Sequence, residues 1–381
     1  MPLRPQGAMR SGKELKLMKG TPFAVDVQPD WKGLVDCIMR RGTPRRVHHI
    51  ELFLDVEVNA AIARRYGLWD DLDEQDPYYN LKCYVAIQRF LGYDYVRCGV
   101  EGLDMPLKGT LAGDTAPDMP RAGGRDYMEE HKGPITTWEE FEAYPWPDPE
   151  KATTRTLEWF EENLPEGMCV IGSGGFGHFA EFLTWLMGYE TLCYSLYDQR
   201  DLVAAISKRL LEMYRITLRR ILAFDRVKLV WGSDDMGFKT GLLISAADTR
   251  EFFLPGHKEM AQMAHDAGRP YLLHCCGNVG EIMEDLIEDV RIDAKHSFED
   301  TIEDVIEDKA LYGDRIALLG GIDVDFLCRH SEGEVRARVR RTLDACMGGG
   351  GYCLGTGNSV ANYIPLENYL AIVDEGRKWR A

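Results

Sequence analysis

Nothing in this 381-residue chain approaches the roughly 18 consecutive apolar residues that a membrane-spanning helix needs. Its first 20 residues are basic and lack the apolar stretch of a secretory signal, so no export signal is expected there. The 10 cysteines are thinly spread, without the regular spacing of a small disulfide-stapled domain, and a reducing, cytoplasmic setting is expected. Positive charge is scarce: 45 Lys and Arg stand against 62 Asp and Glu, a formal net charge of −17. Such a surface repels phosphate backbones, which removes nucleic acid from the expected partners. The acidic stretches 281–289 and 299–308 read as solvated helix faces. No internal repeat and no low-complexity tract is visible, which excludes solenoids and arrays.

What is present is a globular balance, 45% hydrophobic and 28% charged, with material for a large core. Short β-rich runs at 47–53, 93–98, 168–172, 227–233, 271–275, 291–296, 315–320 and 351–354 alternate with helical periodicity at 56–66, 178–187, 201–223, 249–267, 279–287, 301–310, 332–347 and 365–378. Eight strands with interleaved helices predict an α/β fold, a (β/α)8 TIM barrel, in preference to an open doubly wound sheet. The barrel is expected to be one catalytic domain over 47–381, behind an N-terminal tail and cap over 1–46. The connection 99–149, rich in Gly, Pro and Asp, is a long insertion after the second strand. It is expected at the C-terminal mouth, where substrates bind.

Residues at and just after the C-terminal ends of barrel strands face the active site. The fifth run ends in His274-Cys275-Cys276-Gly277-Asn278, and the eighth contains Gly351-Tyr352-Cys353-Leu354-Gly355. Alternation along an extended strand turns His274 and Cys276 to one side and Cys275 to the other. One imidazole and two thiolates form a catalytic zinc set, three ligands with a position left open for substrate. Cys276 and Cys353 are so far apart in sequence that only the fold can unite them, which favours catalytic over structural zinc. The competing reading is three unrelated core residues, free Cys being among the most buried types.

These residues carry a resemblance. His274-x-Cys276-Gly277-Asn278, with a distant Cys353 in a Gly-rich strand, resembles the zinc motif of the corrinoid-linked methyltransferases of the uroporphyrinogen decarboxylase superfamily. Ser233-Asp234-Asp235-Met236-Gly237, Leu319-Gly320-Gly321-Ile322-Asp323 and Ile364-Pro365-Leu366-Glu367-Asn368 are similar too, and the likeness runs from about residue 47 to about residue 379. The resemblance implies a zinc enzyme that moves a methyl group between a small methylated compound (a methoxylated aromatic, a thiol or a folate) and a corrinoid, or cobalamin, carried by a partner protein. The corrinoid is expected in trans, because the chain shows no Asp-x-His-x-x-Gly element of a cobalamin-binding domain. Porphyrinogen decarboxylation is not expected. The decarboxylases' Met-Arg-Gln-Ala-Gly-Arg loop is replaced here by His49-Ile50-Glu51-Leu52-Phe53, and their Leu-Gly-His-Gly by Leu354-Gly355-Thr356-Gly357.

Supporting residues have two readings each. Glu51 is a fourth zinc ligand or general acid/base, or else a carboxylate paired with an Arg. Of Asp234 and Asp235, adjacent and therefore divergent in direction, one is expected to serve the site. Asn278 is a substrate contact or a turn residue. His296 and Asp323 are substrate contacts or satisfied hydrogen-bonding groups at the rim. The Gly-rich run 172–177 lacks the Walker lysine and dinucleotide spacing, and reads as a close-approach loop for a bulky cofactor such as a corrinoid. The alternative activity is a metal-free lyase acting on a carboxylate-bearing substrate, and zinc content separates the two. A third reading is a tetrapyrrole-binding subunit with a structural metal.

Overall fold

The computed structural model describes residues 21–381; residues 1–20 of the expected tail lie outside them. Seven strands form one sheet: β1 (Tyr95–Cys98), β2 (Cys169–Ser173), β3 (Val227–Asp235), β4 (Tyr271–Cys276), β5 (Ala294–His296), β6 (Ala317–Leu319) and β7 (Tyr352–Cys353). Each pairs in parallel with the next in chain order. Parallel neighbours need a crossover each time, and crossovers of one hand keep the helices on one face and curl the sheet away from them. β2 is buried along its whole length and β4 at all but its last residue, as strands covered on both faces must be. The main crossovers are Arg200–Leu222 before β3, Leu254–Asp266 before β4, Val305–Tyr312 before β6 and Glu332–Cys346 before β7, with Leu366–Lys378 closing the chain.

The expected first strand, 47–53, is not a regular strand. It touches the segment after β7 through two isolated parallel bridges, His49–Leu354 and Leu54–Val360. One more residue lies between the bridges on the later segment than on the earlier one, so the ladder loses register. Between the bridges, Glu51 and Leu52 turn to side chains of β1. Tyr95 Oη accepts from Glu51 N at 2.8 Å and donates to Glu51 O at 3.1 Å, and Arg97 donates to Leu52 O. The architecture is therefore a curled seven-stranded parallel sheet, with this segment along its edge.

Part of the expected tail is packed structure. Asp30 accepts from Gly33 N at 3.0 Å and caps the helix Trp31–Ile38, which buries Leu34, Cys37 and Ile38. The helix lies beneath the N-terminal strand ends: Trp31 N donates to Gly167 O at 2.9 Å, and Gly351 N to Cys37 O at 2.7 Å. The long insertion after β1 holds an antiparallel hairpin, Gly109–Ala112 with Arg125–Met128, and the helix Trp138–Ala143. Among the described residues no helix is long and apolar enough to cross a membrane.

Candidate functional site

β3 and β4 run side by side to their C-terminal ends, where Asp234 pairs with Cys275 and Asp235 with Cys276. The register is locked just beyond. Gly277 has φ +83° and lies so close to Gly237 that an added Cβ would sit 2.0 Å from Gly237 O, while Asn278 N donates to Phe238 O at 2.7 Å. Only glycine meets both demands, a positive φ and a backbone neighbour at contact.

This lock brings three metal-binding side chains together. One oxygen of Asp235, one nitrogen of His274 and the sulfur of Cys276 all lie within 4.8 Å of one another. His274 Nε2 is 3.2 Å from Cys276 Sγ and 3.8 Å from Asp235 Oδ1, which also accepts from Cys276 N at 3.2 Å. His274 Nδ1 meets His296 Nδ1 at 2.7 Å. The tautomer in which Nδ1 donates to His296 is the one that turns the Nε2 lone pair toward Cys276 and Asp235. Asn358 Nδ2 donates to Cys276 Sγ at 3.3 Å, and Ser297 Oγ is 3.9 Å from the same sulfur.

Burial sets the protonation states. It pushes the His274 imidazole well below its usual pKa, helped by His296 and Arg97, so the ring is neutral. It pushes the Cys276 thiol well above, helped by the Asp235 carboxylate, and raises Asp235 itself, helped by Asp234. A neutral imidazole beside a thiol and a carboxylate, both held back from ionising, is a donor set of metal-ligating type. A divalent ion would stabilise the two anions that burial disfavours. The residues present thus fit a zinc ion on His274, Cys276 and Asp235 with a position open to substrate.

The other expected site residues lie elsewhere. Cys353 does not join the group. β7 register places it on the same face of the sheet as His274, but its thiol lies against that of Cys37 on the helix beneath the N-terminal strand ends. The expected two-thiolate set is therefore corrected: a carboxylate, Asp235, stands where the second sulfur was expected. Asp234 is fully buried and committed to structure. Its carboxylate accepts from Phe179 N, Ala180 N and Glu181 N, each at 2.9 Å, capping the helix Phe179–Met187, and from His257 Nε2 at 2.8 Å. Asp323 likewise caps Val324–Arg329 through Phe326 N at 2.7 Å and takes Asp300 N at 2.9 Å.

Asn278 Oδ1 accepts from Gly280 N at 3.1 Å, the turn reading. His296 is fully buried against His274 and Trp231. Glu51 binds Thr356 N at 2.8 Å and Thr356 Oγ at 2.5 Å; burial, and then Glu51, raises the Tyr369 hydroxyl on the C-terminal helix. It has no Arg partner among the described residues and is outside the donor group.

Sequence reasoning missed Asn358, Ser297, Arg97 and the His178–Glu181 ion pair. Asn358 and Ser297 each follow a predicted strand by a few residues, the position where C-terminal ends deliver side chains to a mouth, and that offset was a usable signal.

With this geometry in place the chain can be compared with known proteins. The chain resembles a methyltransferase from Methanosarcina mazei at a TM-score of 0.64 and 16% identity, over 90% of this chain and 97% of that one. That likeness is one of fold. No curated protein matches. The family model of uroporphyrinogen decarboxylase (URO-D) matches residues 127–379, which include β2 to β7 and every member of the donor group. Since that match covers well over half of the sequence, the chain belongs to the uroporphyrinogen decarboxylase family.

Proposed function

We propose that this protein is a zinc-dependent methyltransferase that moves a methyl group between a small methylated substrate and a corrinoid carried by a partner protein. The observation that carries the reading is the convergence of Asp235, His274 and Cys276 at the C-terminal ends of two adjacent strands. The Methanosarcina mazei neighbour, itself described as a methyltransferase, supports it. We read the sheet as an eight-stranded barrel whose remaining stave is the segment 47–53, with its mouth on the side of this group.

Zinc bound there would supply Lewis acidity, lowering the pKa of a coordinated thiol or polarising a leaving oxygen. The protein supplies the rest. His296 fixes the tautomer and ring plane of His274. Asn358 donates to the sulfur of Cys276 and tempers its charge, and Asp235 is held by Cys276 N. The methyl group leaves its heteroatom, which keeps the bonding electron pair, and the nucleophile donates the pair of the new bond.

Metal-replete protein should hold close to one zinc per chain, and it should exchange methyl groups between free cob(I)alamin and one member of a panel of methoxyaromatics, methylthiols and methylfolates. Metal-replete protein without zinc would end this reading. A metal-free lyase is the second reading, favoured by the absence of a second thiol from the donor group. Carbon dioxide release from a carboxylate substrate by chelator-treated protein would establish it.

A further inference from the structure

The inner face of the sheet holds a cation that the donor group does not use. Arg97 on β1 lies in line with Ile171 on β2 and Leu229 on β3, the face that Ser173 and Trp231 also occupy. Its guanidinium lies over the Trp231 ring at 4.6 Å, donates to Leu52 O and reaches Ser173 Oγ at 3.3 Å through Nε. Among the described residues no carboxylate lies within ion-pair distance of it. Its Nη2 makes no hydrogen bond, yet is not sealed from a water-sized probe. Arg97 thus keeps accessible surface in a setting deep enough that burial lowers its pKa.

A guanidinium stays charged in proteins, and an unpaired buried charge is costly. Holding one on an aromatic face, with an unbonded edge that keeps accessible surface, is the arrangement of a receptor for a planar anion. Arg97 is joined to the donor group by a run of side-chain contacts. The Trp231 ring meets His296 at 5.5 Å, His296 meets His274 at 2.7 Å, and His274 meets Cys276 at 3.2 Å. Asp235, Cys276 and Asn358 keep accessible surface as well. The nearby basic residues His178 and Lys295 are already paired, with Glu181 and Glu303. Among the described residues, one free cation near a carboxylate-containing donor group suits a monoanion, and a doubly charged phosphate would lie near Asp235 without a second counter-charge.

Resting on the methyl-transfer reading for its other half, we propose that Arg97 anchors the carboxylate of the substrate, a methylated organic monocarboxylate whose methyl-bearing end lies at Asp235, His274 and Cys276. The test is calorimetric binding of methoxyacetate and of the three methoxybenzoates, each paired with its uncharged amide, to zinc-loaded and to zinc-stripped protein. At least one carboxylate should bind about tenfold or more tightly than its amide. Arg97→Lys should erase most of that difference while leaving the amide's affinity in place. Equal affinity for every carboxylate and its amide, or no carboxylate binding, overturns the anchor. The comparison on unaltered protein decides the matter even if the Arg97 variant does not fold. Zinc content is scored separately, so protein that prefers carboxylates but takes up no zinc would sink the methyltransferase reading and keep the anchor.

Discussion

Glu51→Gln replaces a carboxyl group whose two oxygens are both held by Thr356, at 2.8 Å from its N–H and 2.5 Å from its hydroxyl. Burial raises the pKa of Glu51 from an ordinary 4.5 to about 8, against the lowering effect of those two bonds. At neutral pH the folded protein therefore holds this side chain as the acid, while the unfolded chain releases the proton. The folded state binds more protons everywhere between the two values, so stability falls as pH rises through that interval and levels off above it. At about 1.4 kcal/mol for each pH unit, the interval sets a ceiling of ~5 kcal/mol lost on the alkaline side.

Glutamine reproduces the pattern of the protonated acid. Its amide donates to Thr356 Oγ, whose own hydrogen passes to Asn358 O at 3.1 Å, and its oxygen accepts from Thr356 N. Urea unfolding of both proteins from pH 5 to pH 9 should show the variant gaining on the parent as pH rises, by several kcal/mol at the alkaline end, with the two curves converging near pH 5. Zinc content should be the same in both. A stability difference that does not change with pH, or a variant weaker than its parent throughout, would refute the assignment of Glu51 as a buried neutral acid.

Cys276→Ser should abolish stoichiometric zinc binding while Cys353→Ser retains it, read by elemental analysis of metal-replete protein; loss of zinc from the Cys353 variant would restore the two-thiolate set. Asp234→Ala removes the acceptor for three helix N–H groups and for His257 Nε2, so denaturant unfolding should show a loss of about 3 kcal/mol or more. A loss within a few tenths of a kcal/mol would mean that the cap is dispensable. Gly277→Ala, which forces a side chain into backbone 2.0 Å away at φ +83°, should cost about 3 kcal/mol or more and strip zinc with it, measured by thermal unfolding and metal content. A variant as stable and as zinc-loaded as the parent would show that the register lock is not needed.

The strands from β1 onward were legible because short runs rich in β-branched and aromatic residues, closed by glycine, can be little else between long amphipathic helices. The segment 47–53 reads the same way, yet it is tied to β1 by side chains of Tyr95 and Arg97, and to the segment after β7 by two isolated bridges instead of a ladder. Nothing local to it announces the extra residue between its two bridges. His274 and Cys276 were legible because alternation along one strand decides which side chains share a face. Cys353 was misplaced because alternation fixes the face and not the height. Strands in a curled sheet are tilted and staggered, so a residue on the correct face can sit near the opposite end. Asp234 and Asp235 could be separated only as a pair of opposites; which one turned outward depended on the helix N-terminus waiting for Asp234. The role of Arg97 rests on what it lacks, and an absent partner leaves no trace in sequence.

The helix Trp31–Ile38 hydrogen-bonds to the last strand through Cys37 Sγ and Tyr352 O, 315 positions apart, and Ala24 N to Asp374 across 350. A ribosome emits those partners nearly a whole chain apart. The apolar side of the early helix must wait, uncovered, until the final strand has cleared the exit tunnel, and closure of the lower end belongs among the last events of folding. A nonsense mutation between Gly277 and Tyr352 would spare Asp235, His274 and Cys276 yet leave the early helix without its seat, so such a C-terminal deletion should be read out as aggregation before it is read out as lost chemistry.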